Sequence, residues 1–244
     1  MERSDKIMNY LAGQRMFAIC ILLASCILLA GRTSRAAQES STNIFISSSI
    51  LPLDLKRVVM LPLACAESRA DLSDACEKFG PVLQAELIKT RRFEVVFASP
   101  ETVRISTGKL SWTGAEALPP NFFDSLNQVY GCDAVLFCQL TTLHAYPPLA
   151  VGWRLKLVNS RTKKIIWSAD ELFDASNPET AKKAEAYQSH QQQTDKKTKG
   201  FFKLMWTYAN RETPPVGDQW DILNSPRFFG RYAAATLLET LPKR

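Results

Sequence analysis

At 244 residues the chain is long enough to bury one substantial core or two small ones, and too short for a multi-domain assembly. Hydrophobic residues at 46% and charged residues at 22% are ordinary globular values, which excludes wholesale disorder, a collagen-like repeat and a polytopic membrane protein. The net charge of +6 is mild, and no stripe of interleaved basic and aromatic residues points to nucleic acid.

The chain opens with the order of a secretory signal. Arg3, Lys6 and Arg15 precede an apolar run over residues 16–30, and the small-residue stretch around Ala36 and Ala37 follows. The run is shorter than the roughly 18 residues a spanning helix needs, so residues 1–37 read as a signal peptide and the product as exported. Within the run, Leu23-Ala24-Ser25-Cys26 resembles the lipobox of bacterial lipoproteins, an aliphatic residue and two small ones before the cysteine that takes the lipid. Ile27-Leu28-Leu29-Ala30 continues the apolar segment where a polar tether is usual. Two readings therefore stand: lipidation at Cys26, or cleavage after Ala36 or Ala37. Residues 38–53, rich in Ser, Thr and Asn, read as a linker.

The predicted fold begins at residue 54. Val58-Val59-Met60-Leu61 is a short β-branched run closed by Pro62, which suits a strand covered on both faces. Residues 71–90 place Leu72, Ala75, Cys76, Phe79, Leu83 and Leu87 on one helical stripe, with Gly80-Pro81 either kinking the helix or starting its regular part. Phe93-Glu94-Val95-Val96-Phe97 is a second strand, so a right-handed parallel crossover is expected. Residues 101–120 read as an irregular connection or a short helix, and residues 121–130 as a helix. A third strand runs from Asp133 through Leu140, extending toward His144. Val151, Trp153, Leu155 and Leu157 then alternate with Gly152, Arg154 and Lys156, the period-two signature of a strand with one covered face. Ile165-Ile166-Trp167-Ser168 answers it across the polar turn 159–164 as a hairpin. The expectation is an α/β domain over residues 54–176, with a mixed sheet of about five strands flanked by helices. Parallel crossovers come first and an antiparallel hairpin last, and a helical C-terminal extension over 177–244 follows.

Cys65 and Cys76 flank a short loop and can bridge, whereas Cys132 and Cys138 lie about 20 Å apart if the residues between them are extended. Four buried free thiols are the alternative. In the extension, Asn177-Pro178-Glu179 starts a helix and residues 188–199 are polar, a solvated face or a basic contact surface. Phe201, Phe202, Trp206 and Tyr208 form the densest aromatic stretch, read either as packing or as a partner-docking face. Ser225-Pro226 starts a last helix, whose stripe is Phe229, Tyr232, Ala233, Leu237 and Leu241.

Five pieces in this order resemble one periplasmic α/β domain. They are Val58 to Leu63, Leu83 to Leu87 with Phe93-Glu94-Val95-Val96, Gly131 to Leu136, Trp153 to Val158, and Lys164 to Ser168. That domain is shared by CsgG-like curli-secretion lipoproteins, penicillin-binding-protein activator (LpoB-like) lipoproteins and the N-terminal domain of the Tol-system propeller protein. The resemblance spans about half of the chain. It departs at the last hairpin, where Asn159, Thr162 and Lys163 stand in place of an acidic residue and a Thr-Gly pair. It also lacks the long alternating insertions of the pore-forming members. It implies a non-enzymatic envelope module, located in the periplasm or on the periplasm-facing outer membrane and tied to protein partners. Membrane attachment through the N-terminus and homo-oligomerisation are both compatible with it.

Catalytic signatures are missing from the sequence. There is no Gly-x-Ser-x-Gly elbow, no phosphate-cradling glycine loop and no His-Glu-x-x-His. Cys138 and His144 share one extended segment, too far apart for a nucleophile and its base. No metal, cofactor or nucleic-acid partner is expected. The leading function is an accessory or regulatory protein of an envelope assembly. A secretion-channel subunit and a periplasmic cell-wall enzyme are the alternatives.

Overall fold

A computed structural model of the chain describes residues 43–65, 70–192 and 221–244, with the side chains of residues 70–73 left aside. Cys26, the leader and the aromatic stretch with Phe201, Phe202, Trp206 and Tyr208 lie outside the described residues.

The sheet is mixed, and its strands run in the order β1-β7-β6-β5-β2-β4. Strand β2 (Arg57–Met60) lies inside it, parallel to β4 (Glu94–Phe97) on one side and to β5 (Ala134–His144) on the other. Val58 and Met60 point into one hydrophobic core, and Val59 and Leu61 into a second on the opposite face. That explains the unbroken apolar run, since every side chain of a doubly covered strand must avoid water. Strands β5, β6 (Ala150–Asn159) and β7 (Ile165–Asp174) are successively antiparallel.

Helix α1 (Ala70–Lys89) makes the β2-to-β4 crossover and contains Pro81 within an unbroken helical stretch. Its Phe79, Leu83 and Leu87 face the first core. Helix α2 (Pro100–Thr107) is the short-helix option for residues 101–120. Ser99 Oγ accepts from the Thr102 amide at 3.1 Å, Pro100 supplies its preset φ, and Gly108 closes the helix in the left-handed region at φ 92°. Helix α3 (Phe122–Tyr130) ends the same way at Gly131. Phe122 and Leu126 of α3 and Val103 of α2 fill the second core. Helix α4 comprises residues 178–192, and α5 spans Pro226–Glu239.

Three features add to these expectations. Seven strands are present instead of about five, because β1 (Asn43–Ile46) and the two-residue β3 (Ala64–Cys65) join the sheet. Strand β1 lies within the segment expected to be a linker over 38–53, where Ile44, Phe45 and Ile46 are three apolar residues in a Ser/Thr/Asn-rich context. Antiparallel pairing with β7, from Asn43 opposite Asp170 to Ile46 opposite Trp167, supplies the order that local composition does not. The helical C-terminal region packs on the domain. Phe229, Tyr232, Ala233 and Leu237 of α5 are buried in the first core with α1 and the sheet. Buried Glu86 on α1 holds the two helices together, accepting Arg231 Nε at 2.7 Å and Lys89 Nζ at 2.6 Å. The β6-β7 turn also manages without glycine. Asn159 Oδ1 accepts from the Arg161 and Thr162 amides, and Lys163 takes the left-handed position at φ 59°.

Candidate functional site: the bare face of the antiparallel half-sheet

One face of the sheet is packed by α1 against β3 and β5 and by α5 against β6 and β7, and the other is covered only in part. Helices α2 and α3 lie over β2, β4 and β5, and their cover ends at Phe137 of β5 and at Val158, at the end of β6. The boundary is set by Lys156, whose ammonium donates to the Gly114 carbonyl and whose stem lies against Gly114. A Cβ at Gly114 would sit 3.0 Å from Lys156 Cδ, so a larger residue here would displace the lysine stem. Beyond that point no helix among the described residues lies over the rest of β6, over β7 or over β1.

The bare face is built row by row from the register. Gln139, Arg154, Asp170 and Asn43 are successive cross-strand neighbours, as are Phe137, Lys156, Ser168 and Phe45. In the first row, Arg154 Nε donates to Asp170 Oδ2 at 2.7 Å and its NH1 donates to Gln139 Oε1 at 3.4 Å. Both charged side chains are about two-fifths exposed, so the pair orders the surface more than it stabilises the fold. Leu172 stands opposite Gly152 at 57% exposure, and Phe45 is 52% exposed on the edge strand. Gly152 is required here because a Cβ would overlap Thr141 Oγ1 and lie 3.1 Å from the Thr142 amide, where β5 bulges between Leu140 and Thr142. The result is a shelf with a polar, internally paired centre and an exposed apolar residue on either side.

The covered side of the same strands has a different character. Glu171 lies opposite Trp153, and both Glu171 Oε1 and the Trp153 indole N–H are buried without a hydrogen-bond partner. Burial, and then the neighbouring Asp170 charge, raise the Glu171 carboxyl above its ordinary pKa.

The residues singled out from sequence are dispersed. Cys65 and Cys76 are joined as a disulfide that ties β3 to α1, with Cα atoms 6.3 Å apart. Cys132 and Cys138 are free and buried. Burial pushes the Cys132 thiol up to about 11 and the Cys138 thiol further still, so neither supplies a thiolate at neutral pH. Cys138 faces the first core, while His144 is exposed with its Nδ1 2.9 Å from the Pro148 carbonyl. The structure does not bring the two together. Among the described residues no group of three or more His, Cys, Asp and Glu side chains is placed to hold a metal. Among those residues, too, no helix is long and apolar enough to cross a membrane. Gln139, Leu172 and Phe45 were not singled out from sequence. The signal for them was the alternation of β6, which marks one of its faces as polar.

No family model and no curated sequence matches this chain. It is similar to several solved structures. The PelC dodecamer from Paraburkholderia phytofirmans is 12% identical, with 84% of this chain and 98% of that chain covered at a TM-score of 0.44. Lipoprotein GNA1162 from Neisseria meningitidis is 20% identical over 50% of this chain and 85% of that one, at 0.35. The LpoB C-terminal domain from Escherichia coli is 13% identical over 48% and 82%, at 0.31.

Proposed function

We propose that this protein is an exported, non-enzymatic accessory module of the bacterial cell envelope, and that a protein partner docks on the bare face of β6, β7 and β1. One observation carries the reading. Among the described residues the two helices on this side of the sheet, α2 and α3, lie over β2, β4, β5 and the Val158 end of β6, leaving Leu172 and Phe45 exposed on either side of the Arg154–Asp170 pair. A central polar pair flanked by exposed apolar anchors is the composition of a docking surface. Export is supported by the basic, apolar and small-residue order of residues 1–37 and by the Cys65–Cys76 disulfide, a bond that persists in oxidising compartments. Lipidation at Cys26, membership with the CsgG-like, penicillin-binding-protein activator and Tol propeller domains, and homo-oligomerisation belong to the same proposal.

Affinity capture from envelope extracts tests it, with the native chain compared against Leu172→Asp and Arg154→Ala variants of unchanged melting temperature. Loss of an apolar anchor at an interface centre lowers affinity by about thirtyfold. The reading expects one partner to be retained by the native chain and lost from the Leu172→Asp variant. Equal capture by all three chains, or turnover of a cell-wall substrate by the purified protein, contradicts it.

A further inference from the structure

Strands β2, β4 and β5 all begin at one end of the sheet, and at that same end β6 turns into β7 and β1 finishes. The hydrogen bonds fix this rim. The Glu94 amide donates to the Lys56 carbonyl, the Asp133 amide to the Arg57 carbonyl, and the Ser47 amide to the Ile166 carbonyl. Lys243 returns to the rim as well, bonded in both directions with the segment Ser49 to Leu51.

Lys56, Arg57, Arg161, Lys163, Lys164 and Lys243 all stand exposed there. The carboxylates at this end are fewer, and most are engaged. Glu94 pairs with Arg57, Asp124 with Lys163, and Asp133 is turned onto the Lys56 and Arg57 amides, leaving only its other oxygen 3.9 Å from Arg161. Asp54 adds a fourth. Apolar side chains project among the cations: Leu53 at 86% exposure, Ile50 at 59% and Ile165 at 37%.

Cations interleaved with protruding aliphatic groups fit the interface of an anionic bilayer. The excess of six cations over four carboxylates meets lipid headgroups there, each unneutralised charge multiplying partition about fivefold, while the aliphatic tips reach the acyl boundary. Chain length agrees with that occupant. The apolar run over residues 16–30 ends twelve residues before β1, and twelve extended residues reach at most about 40 Å. A chain tethered at that run is therefore held within one domain length of a membrane. We propose that this rim docks on the surface of a bilayer rich in anionic lipid, independently of the partner face on β6, β7 and β1.

The test places a photo-crosslinking residue, benzoylphenylalanine, at Leu53 or at Tyr146. Tyr146 is exposed just beyond the far end of β5, about 30 Å from the rim. The full chain is reconstituted into vesicles of phosphatidylcholine alone or with phosphatidylglycerol, and lipid adducts are read by mass spectrometry. The proposal expects an adduct at position 53 that depends on phosphatidylglycerol and is absent at 146. It should fall more than tenfold when Lys56→Glu and Lys164→Glu are combined in a chain of unchanged melting temperature. Three results overturn it: equal adducts at both positions, an adduct at 53 that ignores lipid charge, or a crosslink from 53 to a second copy of the chain in place of lipid.

Discussion

Replacing Gly230 with alanine tests whether the C-terminal helix belongs to the core. In an exposed helix interior the change would stabilise by about 1 kcal/mol, since alanine restricts the unfolded chain and favours helix. Gly230, however, is buried on α5 against Phe79 of α1. An added Cβ would overlap Phe79 Cε1 and lie 2.9 Å from Cδ1 and 3.2 Å from Cζ. The ring has little room to retreat, because Phe79 is itself buried and packs against Trp153 with centroids 6.0 Å apart. Overpacking of this kind costs about 1–3 kcal/mol, and an overlap this deep belongs at the upper end. It exceeds the propensity gain by about 1–2 kcal/mol. For a chain of this size that is a fall in melting temperature of about 3–6 °C by calorimetry or circular dichroism. Pairing Gly230→Ala with Phe79→Leu should recover about 1 kcal/mol in a double-mutant cycle, because the smaller side chain leaves room for the methyl group. A rise in melting temperature for Gly230→Ala alone would refute the packing of α5 on α1.

Three further outcomes follow from single contacts. Cys76→Ser removes a crosslink across a sequence separation of 11 and should cost about 2–3 kcal/mol, and reductant should lower the melting temperature of the native chain without affecting the variant. Burial works against the charge on Asp133, but the Arg57 and Lys56 amides and the charges of Arg161 and Lys56 outweigh it and hold the carboxyl below its ordinary pKa. Its contribution is therefore complete above the ordinary carboxylate pKa of about 4 and is lost as pH falls through the lower folded value, so Asp133→Asn should flatten the acid limb of a stability-pH curve at a cost of about 1 kcal/mol at neutral pH. Arg91 follows α1 in the left-handed region at φ 51°, and Arg91→Gly should raise stability by about 0.5–1 kcal/mol in urea titrations, whereas Arg91→Val should lower it.

The sequence exposed the parts of the fold in which pattern and environment coincide. The doubly apolar run at Val58 to Leu61, the helical stripe of Phe79, Leu83 and Leu87, and the alternation of β6 each report the number of faces a segment buries. Strand β1 was invisible because its order comes from β7, more than a hundred residues away, and three apolar residues among serines carry no periodicity. The stripe of α5 was legible but its destination was not, since a helical stripe does not say which surface covers it. The last hairpin departs from the resembled domain by lacking a glycine, and Asn159's side chain organises the turn instead, with Lys163 in the left-handed position. The bare face was half legible. Gly152, Arg154 and Lys156 announce a polar side, but that the cover of α2 and α3 stops at Phe137 and Val158 is a tertiary fact.

Hydrogen exchange on the captured complex tests the central claim most directly. If the partner sits on the bare shelf, backbone amides of residues 43–46 and 168–172 should slow on binding, while those of α3, on the covered part of the same side, exchange as they do in the free chain. Protection confined to α2 and α3, with β1 and β7 unchanged, would contradict the account.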